Sequence, residues 1–167
     1  MDGSISIEGL DQVLRGLKGA ERSVIEAAMT GVRRAALNLI ADAQENLRRN
    51  HSVVTGLLRQ SGKVQRVDDL NIDAGFFDTQ NKQGGYALYV EYGRRAGRMP
   101  PPNALIAYAY KKLQLKDWNA ARAIGWAMAV RIAREGTTPH PFFNPAVEKN
   151  KKSIVNAVQD AINKATR

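Results

Sequence analysis

The chain has no cysteine among its 167 residues. Disulfides, thiolate-bound zinc, iron–sulfur clusters and cysteine nucleophiles are therefore excluded. It has two histidines, His51 and His140, which removes most imidazole-rich metal sites. No run of about 18 apolar residues occurs, so no membrane span and no membrane partner is expected. The opening Met1-Asp2-Gly3-Ser4-Ile5-Ser6 has neither a basic flank nor a long apolar core, so no signal peptide is expected. A P-loop, a GxGxxG turn, an HExxH helix and a GxSxG elbow are all missing.

What is present suits a globular chain. Apolar residues make up 44% and charged residues 25%, enough apolar surface to offset chain entropy. The length predicts one domain over 1–167 with a core of ordinary size. The net charge is +9, and its placement is uneven. Between Arg94 and Arg134 stand Arg94, Arg95, Arg98, Lys111, Lys112, Lys116, Arg122, Arg131 and Arg134, with Asp117 as the sole acid. One quarter of the chain thus carries nearly the whole imbalance. Such a field favours a polyanion or an acidic protein face, although a basic surface also simply keeps a protein soluble.

Hydrophobic spacing organises the chain. Leu10, Val13, Leu14 and Leu17 predict a short helix over Gly9–Leu17. From Arg22 to Arg49 apolar residues recur at three- and four-residue steps without proline, which predicts a helix of about seven turns. Leu70, Ile72, Ala74 and Phe76 alternate with polar residues, as in a half-buried strand, and Lys63–Val67 is its hairpin partner across Asp68-Asp69. Tyr86–Tyr92 alternates too and reads as a third strand. Gly93–Pro102, with three consecutive prolines, reads as an exposed loop. Helices are predicted over Asn103–Leu113 with Asn103 as cap, over Asn119–Arg134, and from Asn144-Pro145 to Lys164. The fold class is α+β: a long amphipathic helix on a small antiparallel sheet of about three strands, with extra helices and a C-terminal helix.

Candidate chemistry is sparse. Asp68 and Asp69 are adjacent, which suits a turn better than a metal site. His51 follows a helix end. His140 lies between prolines with no identifiable acid or serine partner. Glu91 is a lone carboxylate beside Val90, a general acid or base in an enzyme and otherwise the ion-pair partner of Arg94 or Arg59. Tyr108, Tyr110, Trp118 and Trp126 interleave with the cations. That pattern stacks on unpaired bases in some proteins and fills a core or subunit interface in more of them. No catalytic residue, cofactor site or metal site is identified.

Motifs in order carry more information. Gly9-Leu10 opens a leucine-rich helix, and the long helix ends in Ala43-Gln44-Glu45-Asn46-Leu47. Then come Thr55-Gly56-Leu57-Leu58-Arg59-Gln60-Ser61, Tyr86-Ala87-Leu88-Tyr89-Val90-Glu91-Tyr92-Gly93, and Pro139-His140-Pro141-Phe142-Phe143-Asn144-Pro145-Ala146. This order resembles the tailed-phage neck and minor-tail component family typified by the tenth gene product of phage HK-ninety-seven. The resemblance spans about residues 8–162. The chain differs from shorter members by a basic, proline-rich helical insertion over 93–138, and longer relatives carry the same Gly-Arg-x-x-Gly-Arg-Met-Pro-Pro-Pro run.

The resemblance implies a non-enzymatic virion protein of the neck or upper tail, made in the host cytoplasm. It implies a ring of six or twelve copies between the head-completion (stopper) protein and the tail terminator or tail tube protein. Arg94, Arg95, Arg98, Lys111, Lys112 and Lys116 are then candidates for contact with genome DNA in the lumen or with an acidic partner. Tyr89, Glu91, Tyr92, Met99, Pro100, His140, Phe142 and Phe143 are candidates for the ring or partner interface, with packing beneath the last helix as the other reading of Phe142 and Phe143. Three other readings stay open: the tail terminator itself, a nonspecific nucleic-acid-binding protein, and a small enzyme for an anionic substrate with Glu91 or His140 in its site.

Overall fold

A computed structural model describes residues 22–50, 56–69, 71–77 and 85–165. The helix expected over Gly9–Leu17 and the position of His51 lie outside the described residues. The elements are α1 (Arg22–Arg49), α2 (Leu57–Gln60), β1 (Gly62–Arg66), β2 (Ile72–Phe76), α3 (Gly85–Tyr92), α4 (Pro102–Lys112), α5 (Trp118–Glu135) and α6 (Phe143–Ala165). The chain is mixed helix and sheet, with a long helix and a two-stranded antiparallel sheet. Its described residues fall into two compact units. One is drawn from Met1–Asn46, Ser61–Phe77 and Phe143–Arg167, the other from Leu47–Gln60 and Asp78–Phe142.

In the first unit the apolar stripes of α1 and α6 meet. Ala28 and Val32 pack on Val158, and Ala35 and Leu39 on Val147 and Ile154. Low positions of α1 meet high positions of α6, so the two helices run antiparallel. They approach closely at Gly31, where a Cβ would lie 2.7 Å from the Ala157 carbonyl oxygen. Farther along, Asp42 accepts from Lys149 Nζ at 2.7 Å and from Asn150 Nδ2 at 2.6 Å. Asn150 also donates to the Ala146 carbonyl, so this buried amide is satisfied.

The hairpin covers the same core. β1 and β2 pair with Val64 opposite Ala74, and Ile72 and Ala74 turn onto the helices. The turn at Asp68-Asp69 is fixed by the Asp68 carboxylate, which accepts from the Asn71 backbone N–H at 2.8 Å and its side-chain amide at 2.6 Å. Arg66 on β1 grips Glu26 on α1 through both guanidinium Nη atoms, each 3.0 Å from a carboxylate oxygen. This two-point fork orients the hairpin on the helix.

In the second unit the tightest contact is between α4 and α5. The inner face of α5 is a stripe of small residues, Ala121, Gly125 and Ala129, all buried. A Cβ on Gly125 would lie 2.7 Å from both Cα and N of Ile106, so the two backbones touch there. Proline starts α4: Pro102 takes the first helical position, where its missing N–H costs nothing, and Pro101 is the cap. Asn103 is thus inside the helix rather than its cap. Asp117 caps α5, its carboxylate accepting from Asn119 and Ala120 N–H.

The third strand is not formed. Tyr86–Tyr92 belongs to helix α3, and the sheet has two strands. Exposed Tyr89 and Tyr92 stand three residues apart, and Ala87, Leu88, Val90 and Glu91 turn inward to different degrees, which is a helical period. Over eight residues the two periods are hard to separate, and strand preference yields to packing context. Here the helix lets Val90 and Glu91 both point inward, which a strand forbids.

Two outcomes are expected from this packing. Gly125→Ala should lower stability by about 1–3 kcal/mol in urea unfolding, because backbone rather than a flexible side chain must give way. The Glu26 carboxyl is held below the ordinary carboxylate range by its hydrogen bonds from Arg66. Its contribution is therefore complete above that range and is lost as pH falls through the lowered value. The stability gap between wild type and Glu26→Gln should be constant near neutrality, shrink on acidification, and narrow with added salt because the pair is exposed.

Candidate functional site

A cluster of specific bonds lies at the C-terminal end of α3, where the segment Thr137–Phe142 runs beside it. A helix end leaves its last carbonyls without intrahelical partners. His140 N–H supplies one, donating to the Val90 carbonyl at 2.8 Å. Gly93 then ends the helix with φ +70, in the left-handed region. Next, Arg94 and Thr137 exchange both backbone bonds, at 2.8 and 3.2 Å, as an isolated antiparallel bridge.

Glycine is required on both sides of that bridge. A Cβ on Gly93 would lie 2.4 Å from the Thr137 oxygen, and one on Gly136 would lie 2.1 Å from the Arg94 oxygen. Gly136 also takes φ +78 as it closes α5. No side chain fits either place. Gly97 N–H adds a bond to the Ala133 carbonyl at 2.8 Å, and Asn50 Nδ2 holds the Pro141 carbonyl at 2.9 Å.

Glu91 sits beneath this clasp. It is 5% exposed, and its Oε2 accepts from the Phe142 backbone N–H at 2.8 Å. The carboxylate serves as a backbone acceptor, which gives a buried N–H its partner. Arg94 does not pair with Glu91. Its guanidinium carbon stands 5.5 Å from the centre of the Tyr89 ring, and it donates to the Arg98 carbonyl.

The interface candidates therefore divide. Tyr89 and Tyr92 are each more than half exposed, and Met99 and His140 are exposed. Pro100 is half-buried. Phe142 is 2% exposed and Phe143 half-buried, the latter set edge-on to Phe76 at 6.0 Å. Glu91 and Phe142 are buried within the chain: one accepts a backbone N–H and the other fills core, the packing reading already open for Phe142.

The cationic candidates are placed outward. Arg95, Arg98, Lys111, Lys112 and Lys116 are exposed, and Arg94 is half-buried in the clasp. Among the aromatics of the basic segment, Trp118, Trp126 and Tyr110 are exposed and Tyr108 half-buried. Trp118, Trp126 and Tyr110 are therefore not core residues of this chain. The signal for this was in the sequence: Ala121, Gly125 and Ala129 at four-residue steps mark a close helix contact, and Trp126 lies off that stripe.

Among the described residues no group of three or more His, Asp or Glu is arranged to hold a metal, and no helix is long and apolar enough to cross a membrane. A cleft of about 250 Å³ beside Glu26, Arg33, Arg66 and Ile72 is lined by charges of which Glu26 and Arg66 already bind each other.

Removing the carboxylate should expose the role of Glu91. Glu91→Ala leaves the Phe142 N–H buried without its acceptor and should cost about 1–3 kcal/mol in chemical unfolding. Glu91→Gln keeps an acceptor oxygen and should cost less. Comparisons of the chain with family models, with curated proteins and with solved structures gave no match.

Proposed function

We propose that this chain is a structural protein of the head–tail junction of a tailed phage, forming a ring that joins the head-completion complex to the tail. The observation that carries the reading is a meeting of motifs. Tyr86–Gly93 and Pro139–Phe142, two of the runs behind the sequence resemblance, are about 45 residues apart in the chain and are bonded to each other through Val90–His140 and Glu91–Phe142. Of the two residues named in a catalytic reading, Glu91 accepts the Phe142 N–H through its side chain and His140 donates its backbone N–H to Val90, so both take part in this joint. A protein that acts by shape needs such a joint, because a ring transmits load through fixed angles between its parts.

In this reading Tyr89, Tyr92 and Met99 are the surface that each copy offers to the next, in head-to-tail contacts that close the ring. Large exposed aromatics supply much of the energy of such contacts. The exposed stretch over 95–99 meets a stopper protein on one side or a tail terminator or tail tube protein on the other. No cofactor and no bond-making step enter this role. A tail terminator would use the same ring chemistry, and its position is read from where the subunits lie along the virion axis.

Virion imaging tests the assignment. Density for the chain is expected at the collar or upper tail, and particles lacking it should appear as filled heads with separate tails. Tyr89→Glu should reproduce that phenotype while the purified variant keeps its circular dichroism spectrum. Joined, infectious particles assembled without the chain would overturn the reading.

A further inference from the structure

Helix α5 turns Ala121, Gly125 and Ala129 inward and leaves both of its tryptophans exposed. Trp118 is 52% exposed and Trp126 48%. They stand two turns apart on α5, about 12 Å by the helical rise. Arg122, also exposed, stands midway at four-residue steps from each, so ring, guanidinium and ring are neighbours along one side of the helix. At the start of this row the Tyr110 ring meets Trp118 edge-on at 5.2 Å.

The same end carries the cations. Lys111, Lys112 and Lys116 are exposed, and with Arg122 they form no ion pair among the described residues. Asp117, the acid in their midst, is committed: its two carboxylate oxygens hold the Asn119 and Ala120 N–H groups. The turn that presents the lysines is fixed by bonds from Gln114 N–H to Lys111 and from Leu115 N–H to Tyr110. The platform is therefore built before any ligand arrives.

We propose that this outer side of the α4–α5 hairpin binds single-stranded nucleic acid, with unpaired bases on Trp118 and Trp126 and phosphates on Lys111, Lys112, Lys116 and Arg122. Charge alone would serve an acidic protein or a duplex equally well. The rings decide between them. A duplex hides its base faces, and the carboxylate side chains of an acidic peptide that would answer the cations have no aromatic face to lay on two tryptophans. A single strand offers both a phosphate and a flat face at every residue, and stacking of this kind tolerates any base. The inference does not depend on ring assembly, since every element of it lies in one hairpin of one chain.

The test uses the full chain and a labelled oligothymidylate of about 20 nucleotides. The protein has two tryptophans, Trp118 and Trp126, so quenching of its tryptophan fluorescence reports this face and nothing else. Binding should quench that emission. Four neutralised phosphates on a single strand predict a slope of about −3 in log affinity against log salt. Trp118→Ala and Trp126→Ala should each weaken binding about five- to hundredfold, and Trp118→Phe should restore most of it. Lys111→Gln with Lys112→Gln should flatten the salt slope and leave the quenching at saturation intact. Equal affinity for a duplex of the same length, equal affinity for polyglutamate, or oligonucleotide binding that neither tryptophan variant weakens would overturn the proposal, as would no binding at low salt. Because the assay needs no assembled ring, its outcome is separate from that of virion imaging.

Discussion

The second unit depends on a bridge of two backbone hydrogen bonds. Arg94 and Thr137 exchange them across a gap so narrow that the flanking residues must lack a side chain. Gly93 and Gly136 are both in the left-handed region, and each faces a carbonyl oxygen of the opposite strand. The conformation that glycine permits and the space that it vacates are needed at the same point. Everything from the triple proline to the end of α5 hangs from this junction, and α3 ends on it. The buried Glu91 side chain adds another kind of fastening, a side-chain oxygen on a backbone donor.

The first unit is held in another way. Its helices α1 and α6 pack over several turns and touch where Gly31 faces Ala157 and Ala161. The hairpin is too small to stand alone, since two strands in water are marginal. It persists by laying Ile72 and Ala74 on the helices and by the Arg66–Glu26 fork. The apolar burial is the larger contribution, because exposed ion pairs are screened by water and salt. The fork acts chiefly on orientation.

Much of this was legible from residue order. The stripe from Ile25 to Leu47 repeats over about six turns, long enough that no other period fits, and α1 runs over Arg22–Arg49 as expected. Asp68-Asp69 announced the hairpin turn, and Gly136 the end of α5. Tyr86–Tyr92 failed because alternating and helical patterns overlap in so short a run. What chose between them was a bond to Phe142, 51 residues away. On α5 the larger apolar residues Ile124, Met128 and Ile132 share one face and are half-buried. The contact belongs to Ala121, Gly125 and Ala129, whose small size signals closeness rather than hydrophobicity. Glu91 stands out in the sequence as a lone carboxylate, but its backbone partner, Phe142, is too distant in sequence for spacing to reveal.

The bridge has a topological corollary. Since residues 94 and 137 lie side by side, the stretch between them leaves and rejoins the rest of the second unit through one doorway. Its length is nearly immaterial to the remainder, because loop-closure entropy grows only with the logarithm of length. A hairpin held this way can be lengthened, shortened or exchanged over generations without disturbing the walls on either side. The chain thereby separates the part free to vary in what it touches from the part obliged to stay the same.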